Sequence, residues 1–265
     1  MNKALFLREM KKSAKLLLLF AAVITLYVSC IIYLYDPETT EMLNRFVEVM
    51  PELMAAVGMG TIAGDLLEFM VSYLYGFILL IFPMLFCILR ANGLIAKYVD
   101  GGAMLWLTAA PVKRRKIAFT QMTVLVCGIL LLLIYTTALE FFIASLLFPG
   151  ELMLRELLLV NLGLLAMHFF LGGICFFASC TFSDTRLSLA VGAGLPTLMF
   201  VFQMIANVGG NLRWIRFLSA FTLFDPTGLI AGETGAAMGL IGLLLGGLLL
   251  YPAGIAVFCK KDLAI

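Results

Sequence analysis

The sequence has a single histidine, His168, among its 265 residues, and charged residues of both signs are scarce. With one histidine and no HExxH motif, a zinc site or a catalytic dyad built on paired histidines is excluded. No P-loop is present, so the chain does not bind ATP in that way. The six cysteines form no CxxC pair and indicate neither a zinc site nor a disulfide framework. We therefore expect no catalytic, cofactor-binding or metal site, and a chain that is not itself an enzyme.

The scarcity of charged residues is accompanied by an unusually high content of apolar residues. Only 13% of the chain is charged and 63% is hydrophobic, with a mean hydropathy of +1.09. A soluble domain has roughly 25% charged and 45–50% apolar residues. The basic N-terminus precedes an apolar run at residues 16–35, which is longer than the roughly 7–15 residues of a signal-peptide core. We interpret that run as a retained first spanning helix.

Six apolar stretches are long enough to cross a bilayer, which takes about 20 mainly apolar residues. They cover residues 16–35, 69–89, 117–146, 157–180, 187–208 and 235–258. No gap between them is long enough to build a second soluble core. The predicted fold class is an all-α polytopic membrane protein with six transmembrane helices, in a single domain of residues 1–265.

The basic residues predict an orientation. Fourteen of the eighteen lysines and arginines flank the same side of the predicted spans. These are Lys3, Arg8, Lys11, Lys12, Lys15, Arg90, Lys97, Lys113, Arg114, Arg115, Lys116, Arg186, Lys260 and Lys261. By the positive-inside rule, this side and both termini are cytoplasmic.

Residues 1–15 and the loop between spans two and three each predict an additional helix. The N-terminal cations follow i, i+3, i+4, i+7 spacing, which predicts an amphipathic helix in the headgroup plane, or simply an anchor for span one. In the loop, Asp100 can cap a helix over residues 103–110, and Pro111 can begin the next one. The apolar side of this short helix needs a cover, either lipid headgroups or a groove on a partner protein. The basic run 113–116 is a topology signal and is compatible with binding anionic lipid.

Two further segments lie on the predicted outer side. Residues 207–234 contain an apolar run, 217–224, that is too short to span and either dips into the bilayer or lies on its surface. The acidic loop 36–68 contains glycines at 58, 60 and 64, which indicate a bent path. The last span has two GxxxG spacings, Gly235/Gly239 and Gly242/Gly246, which favour intramolecular packing over a dimer seam.

Ionisable residues at membrane depth are functional hypotheses by default. His168 is either a packed structural residue or part of a pathway lining. Glu140 is either solvated near the outer interface or part of the same lining. Gln203 and Asn207, together with Asn161, could add polar groups to the outer half of such a pathway.

The segment 100–114, DGGAMLWLTAAPVKR, resembles the ABC-2 class of ATP-binding-cassette permease subunits. That family commonly has a glycine, a short apolar helix and Pro-Val-x-Arg leading into span three. The ending FCKKDL at residues 258–263 is similar to a frequent family terminus. The order of elements also matches over nearly the whole chain: an N-terminal amphipathic helix, a coupling helix in loop 2–3, and a re-entrant segment between spans five and six. The long acidic loop 36–68 departs from the minimal family layout.

The resemblance implies a function and partners. Two permease subunits, as a homodimer or a heterodimer, would form a translocation pathway in contact with membrane lipids, in a bacterial plasma membrane. Separate ATPase subunits would carry ATP and Mg²⁺, and nucleic acid would play no part. The coupling contacts would be Met104, Leu105 and Trp106, flanked by Lys113 and Arg114. Export is favoured over import. The alternative is a non-transporting scaffold or immunity-type protein of the same fold.

Overall fold

The computed structural model describes residues 1–59, 64–109 and 112–261. Within these ranges all regular secondary structure is helical, and six helices are long and apolar enough to cross a membrane. The α-helices are α1 (Lys3–Tyr33), α2 (Pro37–Val49), α3 (Pro51–Ala56), α4 (Leu66–Met70), α5 (Ile78–Leu94), α6 (Ala96–Asp100), α7 (Ala103–Ala109), α8 (Arg114–Leu147), α9 (Leu154–Thr181), α10 (Thr185–Val208), α11 (Pro226–Ala231) and α12 (Thr234–Lys260). A π-helix covers Val71–Tyr75, and two 3₁₀ helices cover Gly210–Leu218 and Ala220–Leu223. The helical class and the number of candidate spans predicted from sequence are confirmed, but the second candidate span is Ile78–Asp100 rather than residues 69–89.

The first helix differs from the prediction. Residues 1–15 do not form a separate helix in the structure, because α1 continues without a break to Tyr33. At 1.5 Å per residue its 31 residues extend about 46 Å, which exceeds the roughly 30 Å hydrocarbon core. Leu5, Glu9 and Ser13, spaced four residues apart, are buried against the protein. The cationic face of the same segment is exposed, as its spacing predicted.

Hydrogen bonds show which helix ends lie together. The backbone N–H of Asn2 donates to Oγ1 of Thr120, 2.9 Å away, near the start of α8. Nη1 of Arg114 donates to the carbonyl of Lys261, also at 2.9 Å, just after α12. Nζ of Lys261 in turn donates to the carbonyl of Cys180, 3.5 Å away at the end of α9. The beginnings of α1 and α8 and the ends of α9 and α12 therefore share one end of the bundle, which we call the basic end. The other is the far end.

The helix α9 is central and contacts α5, α8, α10 and α12. The close approach of α12 to α9 depends on small residues in α12. A Cβ at Gly247 would overlap the ring of Phe169, and one at Gly254 would press on the backbone of Phe177. Gly239 lies against the backbone of Leu223. Of the four glycines in the two GxxxG spacings, Gly239 and Gly246 pack closely within the chain, whereas Gly235 faces open space and Gly242 barely reaches Leu223.

Three of the long helices contain an internal proline, namely Pro83, Pro196 and Pro252. Pro196 has no N–H and leaves the carbonyl of Gly192 without its helical donor. The thiol of Cys175 on α9 donates to that carbonyl, with an S–O distance of 3.1 Å. A buried carbonyl is costly to leave unpaired. The contact therefore stabilises α10 around Pro196 and its packing on α9.

The segment after α10 folds back along the bundle. Oγ of Ser219 donates to the carbonyl of Met199 at 2.7 Å, nine residues before α10 ends. Nine residues of helix correspond to about 13 Å. The ring of Phe221 is buried, with its centroid 5.4 Å from that of Phe200. The segment therefore packs back against α10, and the re-entrant interpretation of residues 207–234 stays a prediction.

The predicted acidic loop is largely helical. The helices α2 and α3 occupy its first part, and α3 packs on α10. The bend falls at Gly58, whose φ of +79° is in the left-handed region and whose carbonyl lies against Gly76. Residue 60 lies outside the described residues.

Candidate functional site

A short helix with an exposed tryptophan lies at the basic end, where the coupling helix was predicted. In α7, Trp106 is 83% exposed and Leu105 is 38% exposed. Met104 is only 1% exposed and belongs to the hydrophobic core. This differs from the expectation that all three residues are contacts, because Met104 points inward. It anchors α7, while Leu105 and Trp106 are presented outward.

The connections of α7 position this surface. Gly102, with φ of +70°, makes the turn from α6 into α7. Asp100 does not cap α7 as predicted. It ends α6, and its carboxylate accepts a hydrogen bond from the backbone N–H of Thr185 at 3.4 Å, at the start of α10. The helix α7 is therefore linked through α6 to α5 and to the beginning of α10. Residues 110 and 111, including the predicted helix start at Pro111, lie outside the described residues.

The two flanking cations have different surroundings. Lys113 is exposed and immediately precedes α8. Arg114 is half-buried, and its bond to the carbonyl of Lys261 ties α8 to the end of α12. Arg114 thus holds two spans together at the basic end, while Lys113 remains available to a partner or to lipid.

A polar cavity of about 480 Å³ lies at the far end of α10. The amide of Gln203 donates to Oδ1 of Asn207 at 3.0 Å, and the hydroxyl of Thr222 donates to Oε1 of Gln203 at 2.7 Å. Gln203 and Asn207 are thus hydrogen-bonded to each other, and their role in lining a pathway stays a prediction. Arg213 and Arg216 also line the cavity. From the sequence, these two arginines are placed only among the charges on the outer side. Their position beside α10 depends on the 3₁₀ helix Gly210–Leu218, whose fold back to α10 has no signature in the sequence.

Glu140 is fully buried in α8, so its solvated placement was wrong. The hydroxyl of Tyr75 donates to its Oε2 at 2.8 Å, and Nδ2 of Asn161 donates to the same oxygen at 2.9 Å. Nδ2 of Asn161 also lies 2.6 Å from the Tyr75 hydroxyl. The other carboxyl oxygen, Oε1, has no hydrogen-bond partner. The three side chains form a closed polar cluster inside the bundle.

His168 is fully buried between α5 and α9. Its Nδ1 lies 2.9 Å from the carbonyl of Leu164 and its Nε2 lies 3.2 Å from that of Leu80. A neutral imidazole can donate to only one of these acceptors at a time. Leu80 lies close to Pro83, where α5 loses a helical hydrogen bond. These contacts favour the structural interpretation of His168. Neither His168 nor Glu140 lines the polar cavity that contains Gln203 and Asn207.

A second buried cluster joins the first helix to the second span. Nη2 of Arg90 donates to Oε2 of Glu9 at 2.8 Å and to the Glu9 carbonyl at 2.9 Å. The hydroxyl of Tyr98 donates to the other oxygen, Oε1. Glu9 is 0% exposed and Arg90 is 5% exposed. The sequence offered one signal for this cluster, because Glu9 is the one acid within residues 1–15 and lies outside the basic i, i+3, i+4, i+7 face of α1.

Among residues 1–59, 64–109 and 112–261, no group of three or more His, Cys, Asp or Glu side chains could hold a metal ion. Comparison of the chain with protein-family models, with curated proteins and with solved structures finds no match.

Proposed function

We propose that this chain is the membrane-spanning permease subunit of an ABC-type exporter, driven by separate ATPase subunits. The observation that supports it most directly is the exposed side chain of Trp106 on the short helix α7. Tryptophan is among the residues most enriched at energetic centres of protein interfaces. Here it is presented at the basic end, which the distribution of lysine and arginine assigns to the cytoplasm.

The attachment of α7 supports a role in coupling. Met104 fixes the helix to the core, and Asp100 links its base to α10. A force on Trp106 would therefore reach α5 and α10 together. Packed helices move as rigid bodies, so an ATPase subunit docked on α7 could shift these spans as a unit.

The exposed helices suggest where a second permease subunit would pack. In their most apolar segments, α1, α10 and α12 each bury 22% of residues, compared with 67% for α9 and 72% for Ile78–Asp100. The helix α10 also carries Gln203 and Asn207 of the polar cavity. A dimer formed along α1 and α10 would place two such cavities near a shared axis at the far end, where a pathway would open.

The test is an affinity pull-down from gently solubilised native membranes, followed by identification of bound proteins. We expect a stoichiometric P-loop ATPase with the wild-type chain, and its loss with Trp106→Glu, because a charge would be placed at the centre of the contact. The matched control is Trp214→Glu. Trp214 is also exposed, at 60%, but it lies in the 3₁₀ helix at the far end.

Equal ATPase recovery with both variants would overturn the coupling role of Trp106. Absence of any ATPase with the wild-type chain in several detergents would instead support a non-transporting scaffold or immunity-type protein, and α7 would then be covered by lipid headgroups.

A further inference from the structure

A groove of about 1050 Å³ opens between α8 and α12, with α9 beneath it. Each wall contributes apolar side chains at helical spacing. Phe119, Met122 and Val126 lie on α8, and Leu248, Pro252 and Ile255 lie on α12. The groove is thus a continuous apolar channel along two candidate membrane spans.

The groove exists because α12 packs more extensively on α9 than on α8. Gly247 and Gly254 allow α12 to approach α9 closely. The ring of Phe169 on α9 lies 4.9 Å from that of Tyr251 and forms part of the floor. At the basic end, the bond from Arg114 to Lys261 fixes the two walls relative to each other. The opening is therefore built into the packing of three helices.

Four cationic side chains surround the basic end of the groove. Lys113, Arg115, Lys116 and Lys260 all line it, and all are exposed. None of the four forms an ion pair with another described residue. No described aspartate or glutamate lines the groove. An apolar channel that ends in four exposed cations is complementary to a molecule with an apolar chain and an anionic head.

The dimensions match one leaflet of a bilayer. From Lys113 to Val126, the α8 wall extends about 20 Å at 1.5 Å per residue. Half of the hydrocarbon core is about 15 Å, and the remainder falls within the headgroup region. The cations therefore lie at the level of lipid phosphates when the apolar part lies among acyl chains.

We propose that this groove is a binding site for an anionic phospholipid of the leaflet at the basic end. An acyl chain would lie along Phe119, Met122 and Ile255, and the phosphate would contact Arg115, Lys116 and Lys260. Basic pockets between membrane helices are a known means of holding such headgroups. The site is separate from Trp106 and does not depend on the proposed ATPase partner.

The test measures lipid retained by the purified chain in native mass spectrometry. Detergent-solubilised protein is incubated with phosphatidylglycerol or phosphatidylcholine of identical acyl chains. For the triple variant Arg115→Gln/Lys116→Gln/Lys260→Gln, we expect the affinity for phosphatidylglycerol to fall by about tenfold or more, and that for phosphatidylcholine to change little. The matched control, Arg8→Gln/Lys11→Gln/Lys15→Gln, removes the same charge from the exposed face of α1 and should retain the preference.

A second variant tests the apolar part. Ala256→Trp should fill the groove and reduce retention of both lipids, because Ala256 is an exposed lining residue. Inorganic phosphate at equal ionic strength should not displace phosphatidylglycerol, since it lacks the acyl chain. Equal losses in the two triple variants, or full displacement by phosphate, would overturn the proposal. Elution of every variant at the wild-type volume on size exclusion confirms folding.

Discussion

Glu9 and Glu140 are both fully buried, but their surroundings differ. Glu9 has an arginine, Arg90, on one oxygen and the hydroxyl of Tyr98 on the other. Glu140 has two neutral donors on one oxygen, from Tyr75 and Asn161, and none on the other. The first site depends on compensation of charge and the second on hydrogen bonding. The Glu9 cluster should therefore lose more stability than the Glu140 cluster when the charge of the glutamate is removed without a change of shape.

The largest effect is expected where the charge compensation is broken. Arg90→Met should lower the free energy of unfolding by about 3–5 kcal/mol, because it leaves the carboxylate of Glu9 buried without its cation. The measurement is an unfolding titration in mixed micelles with a denaturing detergent.

Two variants sharpen this result. Adding Glu9→Gln to Arg90→Met should recover much of the loss, since the remaining buried groups are then neutral. Lys97→Met removes an exposed cation from the same helical region and should change stability by less than about 0.5 kcal/mol. If Arg90→Met were as mild as Lys97→Met, the buried pair would not stabilise the junction of α1 and α5.

An intermediate effect is expected from the hydroxyl at the centre of the Glu140 cluster. Tyr75→Phe should lower the free energy of unfolding by about 1–3 kcal/mol, because Glu140 loses a donor and Asn161 loses an acceptor. The same titration measures it. Tyr73→Phe is the matched control, since the Tyr73 hydroxyl has no hydrogen-bond partner among the described residues. Equal losses for the two would show that the cluster adds no stability.

The smallest effect is expected from Glu140→Gln. The replacement keeps the size of the side chain and an oxygen that can accept from Tyr75 and Asn161, so the change should stay within about 1 kcal/mol. Glu9→Gln, measured in parallel, should cost more, because it leaves the Arg90 cation buried without its anion. An equal loss at both positions would remove the contrast between the two sites.

The sequence predicted the spans and the short helix α7 because both depend on local patterns. Apolar length identifies a spanning helix, and Gly102 marks the turn before α7. The grouping of Gln203 with Asn207 was also accessible, since residues four apart share one face of a helix.

The two buried clusters could not be predicted in the same way. Arg90 lies 81 residues from Glu9, and it was interpreted as one more cytoplasmic charge. Glu140 was placed near the outer interface by counting along α8, and that count does not show that Tyr75 and Asn161 enclose it. Met104 presents the same difficulty, because an apolar residue on a short helix can face the core or a partner. These assignments depend on tertiary contacts between elements distant in sequence.

The bond between Cys175 and the carbonyl freed by Pro196 has a mechanical consequence. A proline inside a helix usually kinks or weakens it, because one backbone hydrogen bond is missing. In α10 the thiol of Cys175 on α9 donates to the carbonyl that the proline leaves free, which restrains the helix at this point. A displacement applied at Thr185 would then reach Asn207 instead of being absorbed halfway along the helix.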